Sequence, residues 1–433
     1  MDERSVVTGF LRNAGDVLLL GRSDDVGSYQ GKWAAVSGFA EGDPDTQIEQ
    51  EIREETGIDP ESDCQLITAG DSFEVVDEDI NRRWRIYPYL FDCSRRAVKT
   101  DWESAAFEWV SPTAILDRET VPDLWTSYDR VRPTVATVES DSTHGSAYIS
   151  LRALAVLRDE AALLARGRDC EYDSVETVGK ALLAARPAMT VVRNRINRVL
   201  FTAAESASDE ADRDDTAATG DIDPGEVESI AHEAIGTAIE ADRGAATNLG
   251  AEIDGKRVAT LSRSGTVLAA IEQADPEAVL LAESRPGREG IDVAEQLASE
   301  TAVTLTSDAA FPHQLVEWAA DCFVVGADTV FGDGTLTNKV GTRAGALSAT
   351  AADIPVLVGT ATDKISHDRR IDLEERAVGE LYEGTASITV ANPTFDLTPH
   401  SAIDRFVTER GRFTPEEIEP LAASHARHAR WSQ

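Results

Sequence analysis

From Lys256 onward one pattern recurs: the short apolar runs VATLS, AVLLAES, AVTLTS, CFVVGAD and IPVLVGT, separated by segments of roughly helix length. Runs this short and this uniformly apolar are strands buried on both faces. Alternating with helices, they imply βαβ units around a parallel sheet. Such a sheet also dictates where chemistry can sit, because its ligands lie beyond the carboxyl ends of the strands. The residues following the five runs are Ser262-Arg-Ser-Gly265, Glu283-Ser-Arg-Pro286, Ser307-Asp308, Gly326-Ala-Asp328 and Gly359-Thr-Ala-Thr362. Hydroxyls, glycine and charge concentrate there, as an anionic ligand held by backbone N–H groups and helix N-termini requires.

Ahead of this region the rhythm differs. Residues 5–134 read as strands and turns around one helix, with SVVTGFLR, DVLLLGR, WRIYPYLFDC and AFEWVS as short apolar or alternating runs. Residues 139–146 have linker composition, and apolar spacings of three and four from Ala147 to about Leu200 predict helices. The acidic stretch 205–223, with Ile222 its only large apolar residue, is expected to be a solvated loop between helices. The expected domains are 1–135, then 136–250 as a linker and helical subdomain with the acidic insertion at 205–223, then 251–425.

Composition enters as an exclusion. Against 41 basic side chains the 78 acidic ones leave a net charge of −37, which argues against nucleic acid and anionic lipid as partners, since both require a basic face. At 42% hydrophobic residues the chain has ample core material, so it is no acidic disordered polymer. Its lysines are only Lys32, Lys99, Lys180, Lys256, Lys339 and Lys364. An acidic, lysine-poor chain resembles proteins of salt-in halophiles, where molar salt shortens the Debye length to about 3 Å. Cys64, Cys93, Cys170 and Cys322 lie far apart without a CxxC pair, which argues against a disulfide framework and a structural zinc site. The start MDERSVV has no signal-peptide pattern and no apolar run nears the ~18 residues of a membrane span, so a cytoplasmic location without a membrane partner is expected. Trp33, Trp84, Trp102, Trp109 and Trp125 are expected as core or cleft aromatics, and His425 and His428 as a solvated helix face.

In the first part the informative segment runs from Gly38 to Ile58. Asp45 or Thr46 can cap a helix that ends near Thr56, with Gly57 as its stop. Glu51, Glu54 and Glu55 then project from one face. Crowded carboxylates repel one another unless a cation sits between them, and an oxygen-only site suits Mg²⁺ or Mn²⁺ together with substrate phosphates. A solvated acidic face is the alternative. Gly31-Lys-Trp33, Ser37-Gly-Phe39 and Glu51-Ile-Arg-Glu-Glu-Thr-Gly-Ile58 together resemble the Nudix hydrolase box. That resemblance implies a domain in which Glu51, Glu54 and Glu55 bind Mg²⁺ and help activate water against the phosphoanhydride of a nucleoside-diphosphate-like substrate. Gln50 stands where the family has Arg, and the loop before the helix is about two residues short.

In the last part the run Val325 to Thr342 presents Asp328 at a strand end and returns through a Gly-rich turn to Asn338-Lys339. A Lys beside a helix N-terminus makes a phosphate site, and Asp328 could transfer protons near it; an Asx turn with a surface Lys is the plainer reading. This run resembles the family of initiation factor 2B alpha, beta and delta subunits, which includes ribose-1,5-bisphosphate and methylthioribose-1-phosphate isomerases. Ala185-Arg-Pro187, Glu283-Ser-Arg-Pro286, Lys364, Asn392-Pro-Thr-Phe-Asp396 and Thr408-Glu-Arg-Gly411 occur in family order. The resemblance implies a phosphorylated small-molecule ligand held by Gly145, Ser146, Arg186, Ser264, Gly265, Thr266, Asn338, Lys339 and Lys364, with Asp328 as acid. It also implies a homodimer through this domain. Ser262 stands where the isomerases place a catalytic Cys, and a hydroxyl is far less acidic than a thiol, which disfavours isomerisation. A non-catalytic ligand-sensing or translation-related regulator is the alternative to a hydrolase. The expected fold class is therefore α/β: an N-terminal Nudix α/β/α sandwich, a helical segment and a C-terminal Rossmann-like parallel-sheet domain.

Overall fold

The computed structural model describes residues 2–211 and 222–431. The chain forms two compact units, one of residues 1–134 and 155–171, the other of residues 135–154 and 172–433. The segment expected as a linker and helical subdomain is thus shared between them. Part of the acidic stretch is helical, since Thr190–Ala211 is one helix, while positions 212–221 of that stretch lie outside the described residues. Among the described residues no helix is long and apolar enough to cross a membrane.

The first unit holds strands β1 (Asp2–Asn13), β2 (Asp16–Arg22), β3 (Trp33–Ala34), β4 (Val36–Phe39), β5 (Cys64–Ala69), β6 (Phe73–Asp77), β7 (Arg82–Cys93) and β8 (Ser104–Val110). They hydrogen-bond in the order β3-β2-β1-β7-β5, with β4 on β1, β6 on β7 and β8 on β2. Strand alternation sorts β2 onto two cores: Leu18 and Leu20 join Ile48 and Ile52 of the helix Pro44–Thr56, while Val17 and Leu19 join Leu124 and Tyr128 of the helix Leu124–Asp129. Burying Ile48 and Ile52 stabilises the helix's seat by about 1.5–3 kcal/mol each. Pro44 opens that helix and Asp43 is its cap residue, two positions ahead of the sequence expectation; proline's fixed φ suits the first helical turn. Gly57 closes it in the left-handed region, as expected.

Two further expectations are corrected here. Cys64 and Cys93 form a disulfide, because β5 and β7 pair antiparallel with these residues opposite each other, their Cα atoms 4.2 Å apart. Trp102 is two-thirds exposed, and so belongs to no core.

The second unit contributes β9 (Arg257–Leu261), β10 (Ala278–Ala282), β11 (Val303–Thr306), β12 (Cys322–Val325), β13 (Thr329–Phe331), β14 (Leu336–Lys339), β15 (Val356–Gly359), β16 (Ile365–Ser366), β17 (Phe395–Thr398), β18 (Arg405–Thr408) and β19 (Gly411–Phe413). The five apolar runs became β9, β10, β11, β12 and β15. The sheet order is β11-β10-β9-β12-β15-β18-β19, parallel except for the last pair. The direction of winding reverses between β9 and β12, the crevice where open α/β sheets bind ligands. A small second sheet, β16-β13-β14-β17, stands beyond it.

Buried charge fixes the helical segment of this unit. Arg195, fully buried, donates to Ser150 at 2.7 Å, to Asp242 at 3.2 Å and to Asp363 at 2.9 Å, and Arg198 adds a second guanidinium on Asp363. The two arginines hold the Asp363 carboxyl far below the usual range, overcoming the effect of burial. His425 is buried too, with Nε2 3.0 Å from the Thr362 carbonyl oxygen, so it is not part of a solvated face. Burial lowers its pKa to about 4 and keeps the ring neutral. Replacing Asp363 with Ala leaves two guanidinium groups short of an anion. Urea unfolding should then show a loss of about 3–5 kcal/mol, and a loss under about 1 kcal/mol would refute this account.

Candidate functional site

In the first unit the carboxylates sit on the helix Pro44–Thr56, whose apolar side is anchored under the sheet. They do not share one environment: Glu54 is exposed, Glu51 half-buried and Glu55 buried. Glu51 accepts a 2.7 Å bond from Gln47 and Glu54 a 2.8 Å bond from Gln50, while Glu55 accepts from the Ser37 backbone N–H at 3.3 Å. The helix lies so close to β4 that a side chain at Gly38 would strike the Glu51 carboxylate. Burial pushes the Glu55 carboxyl well above the ordinary range, and the charge of Glu51 pushes the same way. Glu51 is also raised, first by burial, against the Gln47 hydrogen bond and with Glu54, Glu103 and Asp101 adding repulsion.

Glu51 and Glu54 line a cavity of about 290 Å³. Its remaining walls include Arg22, Tyr29, Phe39, Trp84 and Glu103. The rings of Phe39 and Trp84 stack with centroids 6.3 Å apart, and the Trp84 indole N–H donates to Tyr29, whose hydroxyl donates to Asp77. The cavity wall therefore carries both carboxylates and aromatic rings. Of these wall residues the sequence pointed only to Trp84, as a core or cleft aromatic, and to Phe39, within the Ser37-Gly-Phe39 run; Arg22, Tyr29 and Glu103 come from other strands and loops and carried no local signal.

In the second unit the small sheet brings together Asp328, Lys339 and Lys364, all nominated from the sequence. Asp328 precedes β13, its backbone N–H bonded to the Thr337 carbonyl of the antiparallel β14 at 3.0 Å, and β14 ends on Asn338 and Lys339. Lys364 enters β16, parallel to β13, and its ammonium donates to the Ala327 carbonyl at 2.7 Å. Burial raises the Asp328 carboxyl, opposed by the charges of Lys364 and Lys339. Gly326 lies against the Ser264 side chain and could carry no Cβ there, which binds the ends of β9 and β12 across the crevice.

The other nominated residues have local employment. Ser264 caps its own helix, Gly265–Gln273, by accepting from the Val267 N–H, and Gly265 and Thr266 form that helix's first turn. Arg263 donates to the Thr143 carbonyl, bringing the Gly145-Ser146 segment towards the same loop. Asn338 donates to the Thr342 hydroxyl. Arg186 spends its guanidinium on the carbonyls of Val138 and Asp141. The N-terminus of the helix Thr342–Ala351 already holds an anion: Asp396 accepts from the N–H groups of Gly341, at 2.8 Å, and Arg343, at 3.1 Å. Ser262 sits in the left-handed region with its N–H donating to Ser284 at 2.6 Å, and Ser284 and Arg285 in turn donate backbone N–H groups to Asp308.

A conserved-family model for the initiation factor 2 subunit family matches residues 142–415, more than half of the chain. The chain belongs to that family. Residues 2–131 match the NUDIX domain. This initiation factor 2 subunit family member is 36% identical over 175 residues to the ribose 1,5-bisphosphate isomerase of Archaeoglobus fulgidus, a stretch that is 38% of this chain and 55% of that protein. It is 35% identical over 155 residues to the methylthioribose-1-phosphate isomerase of Acaryochloris marina, covering 33% of this chain and 44% of that protein. The chain spans about half the length of the curated relatives it matches. The crystal structure of the Pyrococcus horikoshii OT3 translation initiation factor eIF-2B superposes with a TM-score of 0.51 at 23% identity, over 65% of this chain and 95% of that one. That likeness is one of fold.

A NUDIX domain implies a divalent cation. The donor chemistry at Glu51, Glu54 and Glu55 fits one, being all carboxylate oxygen with two of the three groups destabilised by mutual repulsion and burial. Their side chains are turned to Gln47, Gln50 and Ser37, and among the described residues no three His, Cys, Asp or Glu groups are gathered as a metal cluster. A carboxyl raised in the folded state supports folding only while protonated. The contribution of Glu55 is full below its unfolded value, about pH 4.3, and is lost as pH rises through the folded value. Glu55→Gln should therefore stabilise the metal-free protein at about pH 8 by roughly 1 kcal/mol or more, the gain fading towards about pH 4. Thermal unfolding with a chelator across that range measures it, and equal Tm values at the alkaline end would contradict it.

Proposed function

We propose that the first unit is a Mg²⁺-dependent hydrolase of a phosphoanhydride in a nucleoside-diphosphate-like substrate. We further propose that the second unit binds a phosphorylated small molecule such as a sugar phosphate without isomerising it. The observation that carries the first reading is a cavity lined both by Glu51 and Glu54 and by Phe39, Trp84 and Tyr29. A planar group suits the aromatic side chains and a metal-bound phosphate the carboxylates. Glu51, Glu54 and Glu55 would hold the cation, whose contribution is to polarise a phosphoryl oxygen and lower the pKa of water. Arg22, held by the Ser28 carbonyl at 3.1 Å, is the cavity's own cation for a phosphate oxygen.

Asp328 between Lys339 and Lys364 supports the second reading, and the names of the isomerase relatives supply the ligand class. Ser262 in place of a thiol argues against isomerisation. The location we propose is cytoplasmic.

The experiment is a panel of nucleoside-diphosphate derivatives with full-length protein, Mg²⁺ and molar KCl. At least one should be cleaved, and Glu54→Gln should cut turnover by about 10²-fold or more while the fold persists, general acid–base and metal roles being worth that much. No cleavage anywhere in the panel would favour the sensor reading, in which ligand-induced stabilisation survives Glu54→Gln. We also propose a homodimer through the second unit, a reading that its exposed Ile371, Val378, Leu381 and Ile388 support. Light scattering should give twice the chain mass, and a monomer at micromolar concentration would exclude it.

A further inference from the structure

The second-unit site contains a carboxylate where a ligand anion would go. Lys339, buried, donates from Nζ to Glu289 Oε1 at 2.7 Å. Glu289 is itself three-quarters buried. It opens the helix Glu289–Leu297 directly after Arg288, which adopts left-handed backbone with φ 63°. The side chain folds back over its own loop, since an added Cβ on Gly287 would strike its carboxylate. Its other oxygen, Oε2, is buried and has no hydrogen-bond partner among the described residues. Arg376, a cation within electrostatic reach of Glu289, is itself held bidentately by Glu380 at 2.7 and 3.0 Å. Asp328 and Glu374 add negative charge close by.

A buried ammonium paired one-to-one with a carboxylate has no net charge to offer. A phosphate that joined the pair without displacing Glu289 would gather several anions in a poorly solvated place, which is unfavourable. We propose that Glu289 is a resident competitor for Lys339. It sets the affinity of the second-unit site for phosphorylated ligands and admits only those able to displace it. This rests on the phosphorylated-ligand reading given above, and it makes Glu289 a specificity-determining residue.

The test is calorimetric titration of the full-length protein with ribose 1,5-bisphosphate and, separately, inorganic phosphate. Glu289→Gln should bind the bisphosphate at least tenfold more tightly than the wild type. Glu289→Asp, which keeps the charge, should not. Lys339→Met should abolish the gain in the Gln background. Glu289→Ala is a second neutral variant and should move affinity in the same direction, so a folding defect in one does not decide the matter. If the wild type binds and neither neutral variant binds more tightly, Glu289 is no competitor, yet the ligand reading stands. If no variant binds either probe at millimolar concentration, both readings fall.

Discussion

The contact between Asp363 and the guanidinium groups of Arg195 and Arg198 organises the second unit around its crevice. Arg195 reaches Ser150 and Asp242, on two other helices, so a single buried cation ties three helical segments to one turn of the sheet. That turn continues directly into Lys364, whose ammonium holds the Ala327 carbonyl beside Asp328. A buried ion pair of this kind is poor evidence of stability, because desolvating the charges offsets much of their attraction. Its value is positional. An apolar contact would tolerate sliding, whereas a fork of N–H donors on a carboxylate has one register.

Much of the architecture was legible along the sequence because it follows from local chemistry. The five apolar runs are strands of the main sheet, and Gly57 ends its helix in the left-handed backbone that glycine makes inexpensive. What escaped the sequence was decided by residues distant along the chain. The Cys64–Cys93 pairing depends on the register of β5 against β7. The cap on the helix Thr342–Ala351 comes from Asp396, more than fifty residues downstream. His425 has a solvated-looking sequence context but packs its ring against the Thr362 carbonyl. Glu289 lies three residues past a flagged tetrapeptide, and nothing local says that a buried lysine will reach for it.

Both units keep carboxylates in company that carboxylates avoid. In the first, Glu55 is buried beside Glu51 with one backbone N–H as its hydrogen-bond partner; in the second, Asp328 is partly buried, with the exposed Glu374 close by. An unusually acidic composition supplies such residues freely on the surface, but surface acidity does not account for acids placed inside. A carboxylate withdrawn from water persists where a cation or a proton resolves the conflict, and at Asp328 Lys339 and Lys364 already supply the positive charge.

The two units are interleaved along the chain. Residues 155–171 belong with the first unit, where Arg158 donates to the Gly15 carbonyl, Tyr128 to Asp159 and Arg132 to Glu160, whereas residues 135–154 belong with the second. A cut near residue 135 would strip the first unit of the partners of Tyr128 and Arg132 and leave buried polar groups unsatisfied. A cut near residue 171 would take from the second unit the segment that bears Ser150. The fusion is therefore not modular in the sense that recombination requires. Neither unit could be inherited, exchanged or lost by a single crossover without damage to the other, so the pairing of the two sites is protected by the path of the chain itself.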